Sequence, residues 1–387
     1  MKIICLSFSE SAEDKKAWSG TVYKVCSSIK KSGCSLDFLC CKVSKSFFEI
    51  IEIAFFKILN LFGFSSKKYL SGFTFRRRNN IAKMLEKKDF CGYNYVFVIA
   101  NSAIASAYNE ARHRHPEWPN YIFLADSTFS GVENYYPEFS NLFNVCSAQA
   151  NKLSSDAFYY SWRSIVSSEW AKKNCIKDYS VPSEKIEVVE FGANLDDSEM
   201  GRILKIFSRE KKINLLLSGV DWVRKGGDIA VSCAEKMIED GFVVTLHVAG
   251  MNVPVLYENK DFIVQHGFLN KNIPEQYDQF VQIMKQSDVL LFPSKAECSA
   301  IALCEAAGFG LPVICFDTGG LANYVRNDVN GIRMPINSSG TDFAICIEKQ
   351  ILSGAMTRLS EGASMMYNQT LNWNCWTQRF SRIIGLE

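Results

Sequence analysis

The sequence predicts an α/β protein made of two doubly wound parallel sheets. Three observations carry this prediction. Short, nearly all-apolar runs rich in β-branched and aromatic residues alternate with longer segments of helical period, as expected for strands buried on both faces by crossover helices. The runs form two successive series, divided by the polar, charged stretch Asp196–Lys212. The chain has 387 residues, more than one core usually serves.

In order, the first series predicts strands over Lys2–Ser7, Tyr95–Ala100, Tyr121–Ala125, Ser164–Ser167 and Ile186–Glu190. The second predicts Ile213–Ser218, Val243–Ala249, Phe262–His266, Val289–Phe292 and Pro312–Phe316. Helices are expected between them, among them Thr21–Ser32, Gly227–Asp240, Glu275–Gln286 and Ser299–Gly308. The domains are set at residues 1–200 and 201–370, with a last helix over 371–387. In such sheets ligands lie at the carboxyl ends of strands, so the chemistry belongs in the loops that follow them.

Composition narrows the function classes. A chain 48% hydrophobic and 22% charged is neither disordered, collagen-like nor a multi-span membrane protein. With 43 Lys+Arg against 41 Asp+Glu, the net charge of +2 argues against a dedicated nucleic-acid binder. The 14 cysteines are scattered, with no C-x-x-C, and the four histidines show no metal-ligand spacing beyond His113-x-His115. The opening MKIICLSFSE has no apolar h-region. A reduced, cytoplasmic chain without structural metal is expected.

The near-neutral sum hides a basic lobe. Over residues 42–89 eleven Lys and Arg stand against four acids, a local +7 that leaves −5 for the rest. Within it lies FFEIIEIAFFKILNLFGF, residues 47–64, too interrupted by charge to span a bilayer. Its phenylalanines fall all round a helical wheel. An apolar helix beside basic residues, over 47–78, suits peripheral contact with an anionic membrane surface. The plainer alternative is a helix packed on the sheet beside solvated cations.

The densest chemical signal follows the strand VLLF. Glu297 and Glu305 are eight residues apart, the first in the loop before a helix and the second on that helix's second turn. A helix N-terminus over Ser299, Ala300 and Ile301 presents unpaired N–H groups to an anion, and a carboxylate beside it can accept hydrogen bonds from vicinal hydroxyls. Glu297 could equally stabilise only its own helix. Upstream, Arg224 and Lys225 occupy the glycine-rich strand-to-helix turn VDWVRKGGDIAV. Two cations there suit a diphosphate, the arginine by forked hydrogen bonds and the lysine as a point charge; the alternative is a solvated loop. Gly319 and Gly320 permit close backbone approach after the next strand, or serve as ordinary turn residues. In the first half, Gly20 lies in the loop before a helix. Asp126 follows the strand ending at Ala125 and reads as an acid/base group or as a helix cap.

On these residues the chain resembles the GT-B glycosyltransferases, and within them the retaining family 4, the glycosyl transferases group 1, which includes many bacterial cell-surface polysaccharide enzymes. The likeness is carried by Ser19-Gly20-Thr21, by residues 167–196, by RKGG at Arg224–Gly227, by HVAG at His247–Gly250, by Gly267-Phe268 and by the block Glu297–Gly331. The resemblance implies two Rossmann-like domains facing a cleft, with the Trp373…Trp376 helix crossing back to the first. It further implies that Arg224 and Lys225 hold the donor diphosphate and Glu305 the ribose hydroxyls. Glu297 would contact the sugar, Phe268 and Leu269 would lie by the base, and Gly20 would approach the diphosphate from the other domain. Where the family has glycines after its first Glu, Cys298 and Ala300 stand here and narrow the sugar pocket. Where many members place a histidine, Asp126 stands.

The implied activity is transfer of a hexose, with retention, from a nucleoside-diphosphate sugar to a glycan or lipid-linked acceptor in lipopolysaccharide or capsule synthesis, without metal or other cofactor. A nicotinamide oxidoreductase would need G-x-G-x-x-G after the first strand, and CLSFSESAEDKK lacks it. A glycan phosphorylase-like enzyme and a non-catalytic, membrane-associated assembly partner share the architecture; intact Arg224, Lys225, Glu297 and Glu305 argue against the latter.

Overall fold

The structure, a computed structural model, describes residues 1–63, 65–201, 204–207 and 210–386. Phe64, the last residue of the apolar segment, and four residues of the 196–212 stretch lie outside the described residues.

Two six-stranded parallel sheets form the frame. The first contains β1 (Lys2–Ser7), β2 (Ser35–Cys40), β3 (Tyr95–Ile99), β4 (Tyr121–Ala125), β5 (Arg163–Val166) and β6 (Ile186–Val188), in the order β2-β1-β3-β4-β5-β6. The second contains β7 (Lys212–Ser218), β8 (Val243–Ala249), β9 (Ile263–Gly267), β10 (Val289–Phe292), β11 (Val313–Phe316) and β12 (Gly331–Met334), in the order β12-β11-β10-β7-β8-β9. Strand order reverses beside β1 in one sheet and beside β7 in the other, as in doubly wound folds. Ten strands fall where the apolar runs placed them, within a residue or two. The edge strands β2 and β12 were not anticipated.

Both faces of the second sheet are apolar, which explains the unbroken hydrophobic runs. Along β7, Ile213, Leu215 and Leu217 enter one core and Leu216 the other. Val289 and Leu291 alternate likewise with Leu290 and Phe292 along β10. In the first sheet Ile4 and Leu6 of β1 pack with Val96, Val98 and Phe123.

The chain divides into two compact units. The first comprises Met1–Ala17, Val22–Val189 and the tail from Phe380; the second comprises Trp18–Thr21 and Glu190–Arg379. The change of unit thus falls at Val189, before the polar stretch expected to mark it. The last helix, Trp373–Ile383, belongs to both. Among the described residues no helix is long and apolar enough to cross a membrane.

Candidate active site

The carboxyl ends of five adjacent strands are stitched into one rim by backbone hydrogen bonds. Gly219 N donates to Ala249 O at 3.0 Å and Gly250 N to Gly267 O at 2.7 Å, joining the loops after β7, β8 and β9. Lys295 N donates to Arg224 O at 2.9 Å and Gly320 N to Glu297 O at 3.1 Å, joining β7, β10 and β11. Gly250 has φ +96°, and a Cβ there would lie 2.3 Å from Gly219 O, so the rim closes only with glycine at this point.

Arg224, Lys225 and Glu297 meet on this rim. Arg224 Nη1 donates to Glu297 Oε1 at 2.8 Å and Lys225 Nζ to the same oxygen at 2.5 Å, with Ser294 Oγ donating at 2.6 Å. Arg224 Nη1 also donates to Ala296 O at 3.2 Å. Lys225 and Glu297 are both buried, and the Lys225 ammonium lies 4.3 Å from the Phe292 ring centroid. Burial pulls the Lys225 pKa below its ordinary value and Arg224 adds to this, while the Glu297 carboxylate acts in the opposite direction. The sequence places these cations here through Gly226, which caps the Gly227–Glu239 helix with φ +71°; a Cβ there would lie 2.2 Å from Pro293 O. The loop that carries the cations is thereby pressed against the loop that carries Glu297. The two cations converge on one carboxylate in a low-dielectric setting, with Asp221 beside them accepting from Arg224 N at 3.0 Å.

Glu305 projects from the Ile301–Gly308 helix, shorter at its start than expected. Ala300 is the N-cap and makes no side-chain capping bond, and Leu303 N donates back to Ala300 O at 3.0 Å, so the N–H groups of Ile301 and Ala302 are those the loop can use. Ser299 is half-buried. Glu305 is buried and accepts a short hydrogen bond from Lys271 Nζ, which also lies 4.5 Å from the Phe280 ring centroid. Lys271 was missed in the sequence: it stands 34 residues from its partner, and nothing local distinguishes it from other loop lysines. Phe268, after β9, is strongly exposed, while Leu269 is half-buried against the core.

Gly20 does not stand with the first unit, as expected, but packs with the second. It ends a stretch in which Trp18, Ser19 and Gly20 all have positive φ, at 49°, 57° and 89°. Two of these are not glycine, so the turn is strained. Asn194 holds it, donating from Nδ2 to Ser19 O at 2.7 Å while its Oδ1 accepts from Trp373 Nε1 at 2.9 Å. Trp18 packs edge-on against Phe191 at 5.2 Å. Asp126 lies in the first unit directly after β4, half-buried. It is not the cap of the following short helix; Thr128 is, accepting from Gly131 N.

A family model described as glycosyl transferases group 1 matches residues 211–351, the part that carries the rim. An uncharacterized 41.2 kDa protein in the cps region of Klebsiella pneumoniae is 27% identical over 175 residues, 43% of this chain and 46% of that protein. The chain thus matches just under half the length of this relative. Among solved structures, Anabaena Alr3699/HepE in complex with UDP and glucose has a TM-score of 0.64 at 13% identity, covering all of both chains. The lipopolysaccharide outer core galactosyltransferase WaaB has a TM-score of 0.62 at 14% identity, again over both whole chains. Residues 211–351 therefore match the glycosyl transferases group 1, within a chain that has the GT-B fold throughout.

Proposed function

We propose that the chain is a retaining glycosyltransferase. It would move a hexose from a nucleoside-diphosphate sugar to a glycan or lipid-linked oligosaccharide in lipopolysaccharide or capsule synthesis, attached peripherally to the cytoplasmic membrane. The observation that carries the reading is the convergence of Arg224 and Lys225 on Glu297 at the carboxyl ends of β7 and β10. The match to the cps-region protein and the likeness in fold to proteins that bind UDP or build lipopolysaccharide support the setting.

Breaking the bond from the anomeric carbon to a diphosphate builds positive charge on the sugar and negative charge on the departing oxygen. Arg224 and Lys225 meet that negative charge from fixed positions, which lowers the barrier without reorganisation. The cations supply the charge a metal would otherwise bring, so the reaction proceeds without one. The N–H groups after Ala300 hold the distal phosphate and the sugar, with Glu297 beside them. Glu305, oriented by Lys271, accepts hydrogen bonds from the ribose hydroxyls, and Phe268 and Leu269 flank the base. Gly20 gives the diphosphate room. The acceptor hydroxyl attacks from the face the diphosphate leaves, its proton passing to the departing phosphate oxygen, so the new bond keeps the old configuration.

A thermal-shift screen against UDP, GDP, ADP and their sugars tests the reading. A true donor at 100 times its Kd stabilises the protein by about 2.7 kcal/mol. Glu305→Ala should then lose both that shift and transfer while keeping its circular dichroism. An unshifted wild type with every nucleotide, or a product of inverted anomeric configuration by NMR, would refute the donor site or the retaining mechanism respectively.

A further inference from the structure

The helix Phe47–Leu61 is amphipathic in the reverse sense. Its acids face the protein and its apolar side faces outward. Glu49 is 1% exposed; it closes a capping box with Ser46, accepts from Asn80 Nδ2 at 3.1 Å and pairs with Arg77. Glu52 accepts from Arg76 Nε at 3.1 Å. Phe56 turns inward as well, stacked on Tyr69 with centroids 4.3 Å apart and set against Phe143 at 4.5 Å. These contacts fix the rotation of the helix. They leave Phe48, Ile51, Phe55, Ile58 and Phe62 outward, each between 48% and 69% exposed, with Phe47 beside them. The phenylalanines are thus sorted between two faces and do not ring the helix evenly. The helix is also not packed away on the sheet beneath, the plainer of the two sequence expectations.

An outward apolar arc is costly in water unless something covers it, and the charges around it point to what does. The outward side carries no acid, because Glu49 and Glu52 are spent on arginines. Its flank carries Lys57, and Lys45 stands just before the helix; among the described residues neither forms an ion pair. Arg76 lies 5.5 Å from the Phe48 ring centroid, at the edge of the arc. Apolar side chains in one plane, rimmed by cations and free of acids, fit the headgroup boundary of an anionic bilayer. A protein partner would be expected to offer, or require, charges of both signs.

We infer that the Phe47–Leu61 helix lies in the plane of an anionic membrane surface, inserting Phe48, Ile51, Phe55 and Ile58 among the acyl chains while Lys45 and Lys57 engage lipid phosphates. This rests on the peripheral placement proposed above and names the element that makes it. The Glu49 contacts serve as the lock that keeps the apolar face turned out.

The test uses the full chain in flotation with vesicles of phosphatidylcholine alone, or of phosphatidylcholine and phosphatidylglycerol at about 3:1. The wild type should float with the anionic vesicles, several-fold less with the neutral ones, and less again as salt is raised. The triple variant Ile51→Ser, Phe55→Ser, Ile58→Ser touches only outward residues and should partition at least about tenfold less. Lys45→Glu with Lys57→Glu should abolish the preference for phosphatidylglycerol. A wild type that stays in solution with anionic vesicles, or a triple variant that floats as well as the wild type, would overturn the inference. So would a wild-type dimer that the triple variant splits into monomers, because the face would then cover a second copy. Nucleotide-induced thermal shift, measured on the same proteins, separates the two readings: vesicle binding without a nucleotide response fails the donor site and leaves the docking helix standing, and the converse fails only the helix.

Discussion

Glu297 shows how one carboxylate sets the state of a neighbour. Lys225 is buried, and burial together with Arg224 presses its pKa down; Glu297 is the larger influence that holds it up, with Asp221 adding to it. Replacing Glu297 with Gln keeps the shape and removes the charge. The Lys225 pKa then falls further, so the ammonium is lost at a lower pH than in the wild type. The expected outcome is an alkaline limb of UDP affinity displaced toward acid, measured by titration calorimetry across pH. A limb that does not move would mean that Lys225 is not the group that meets the diphosphate. The variant should also be less stable, by about 3 kcal/mol, because a buried cation pair is left without its counter-charge. Bound nucleotide should restore part of that loss, since the diphosphate returns negative charge to the same place.

At the scale of elements, what the sequence disclosed depended on burial. The eight interior strands wrote themselves as apolar runs, and the edge strands β6 and β9 were marked by their short apolar starts at 186–189 and 262–264. The two missed strands are edges: β2 is exposed or half-buried along its whole length and carries Asp37, and three of the four residues of β12 are half-buried, among them Arg333. An edge strand need not be apolar on both faces, so an apolar run need not mark it. The site divides in the same way. Arg224, Lys225, Glu297 and Glu305 were legible because each sits in a turn or helix start whose own sequence marks it. Lys271 and Asn194 owe their positions to contacts made far along the chain, which no local pattern records. The facing strands β8 and β9 carry a further arrangement of this kind. His247 Nδ1 lies 3.0 Å from His266 Nε2, with the rings 5.2 Å apart, and burial lowers the pKa of both below the ordinary 6.5. Asp288 acts on His247 in the opposite direction. Because the folded values lie below the unfolded one, the unfolded chain binds protons first as the pH falls. The stability this pair contributes is therefore present above about pH 6.5 and is lost as pH drops from there through the folded values. Urea midpoints should fall between about pH 7.5 and 5.5, and His266→Gln should flatten the fall. Equal slopes for variant and wild type would assign the pH dependence elsewhere.

The whole molecule is two compact units on one chain, and the chain changes unit four times: after Ala17, Thr21, Val189 and Arg379. The residues proposed to grip the donor nucleotide, from Arg224 to Glu305, all belong to the second unit, and the short Trp18–Thr21 insertion that bears Gly20 has joined them there. A ligand stabilises what it binds, so nucleotide should act on the second unit and leave the first to melt on its own. Calorimetry of the full chain should then show two transitions. A saturating cognate nucleotide should raise one of them by about 5–10 °C, given the stabilisation expected at 100 times Kd and the size of the unit. Hydrogen exchange tells which unit moved: protection should rise over residues 219–227, 267–272 and 297–305 and stay level over 121–132. If the protected segment were 121–132 instead, the donor would have to be reassigned to the loop that holds Asp126. If both transitions rose together, the two units would be one cooperative body, and the nucleotide would be acting on both.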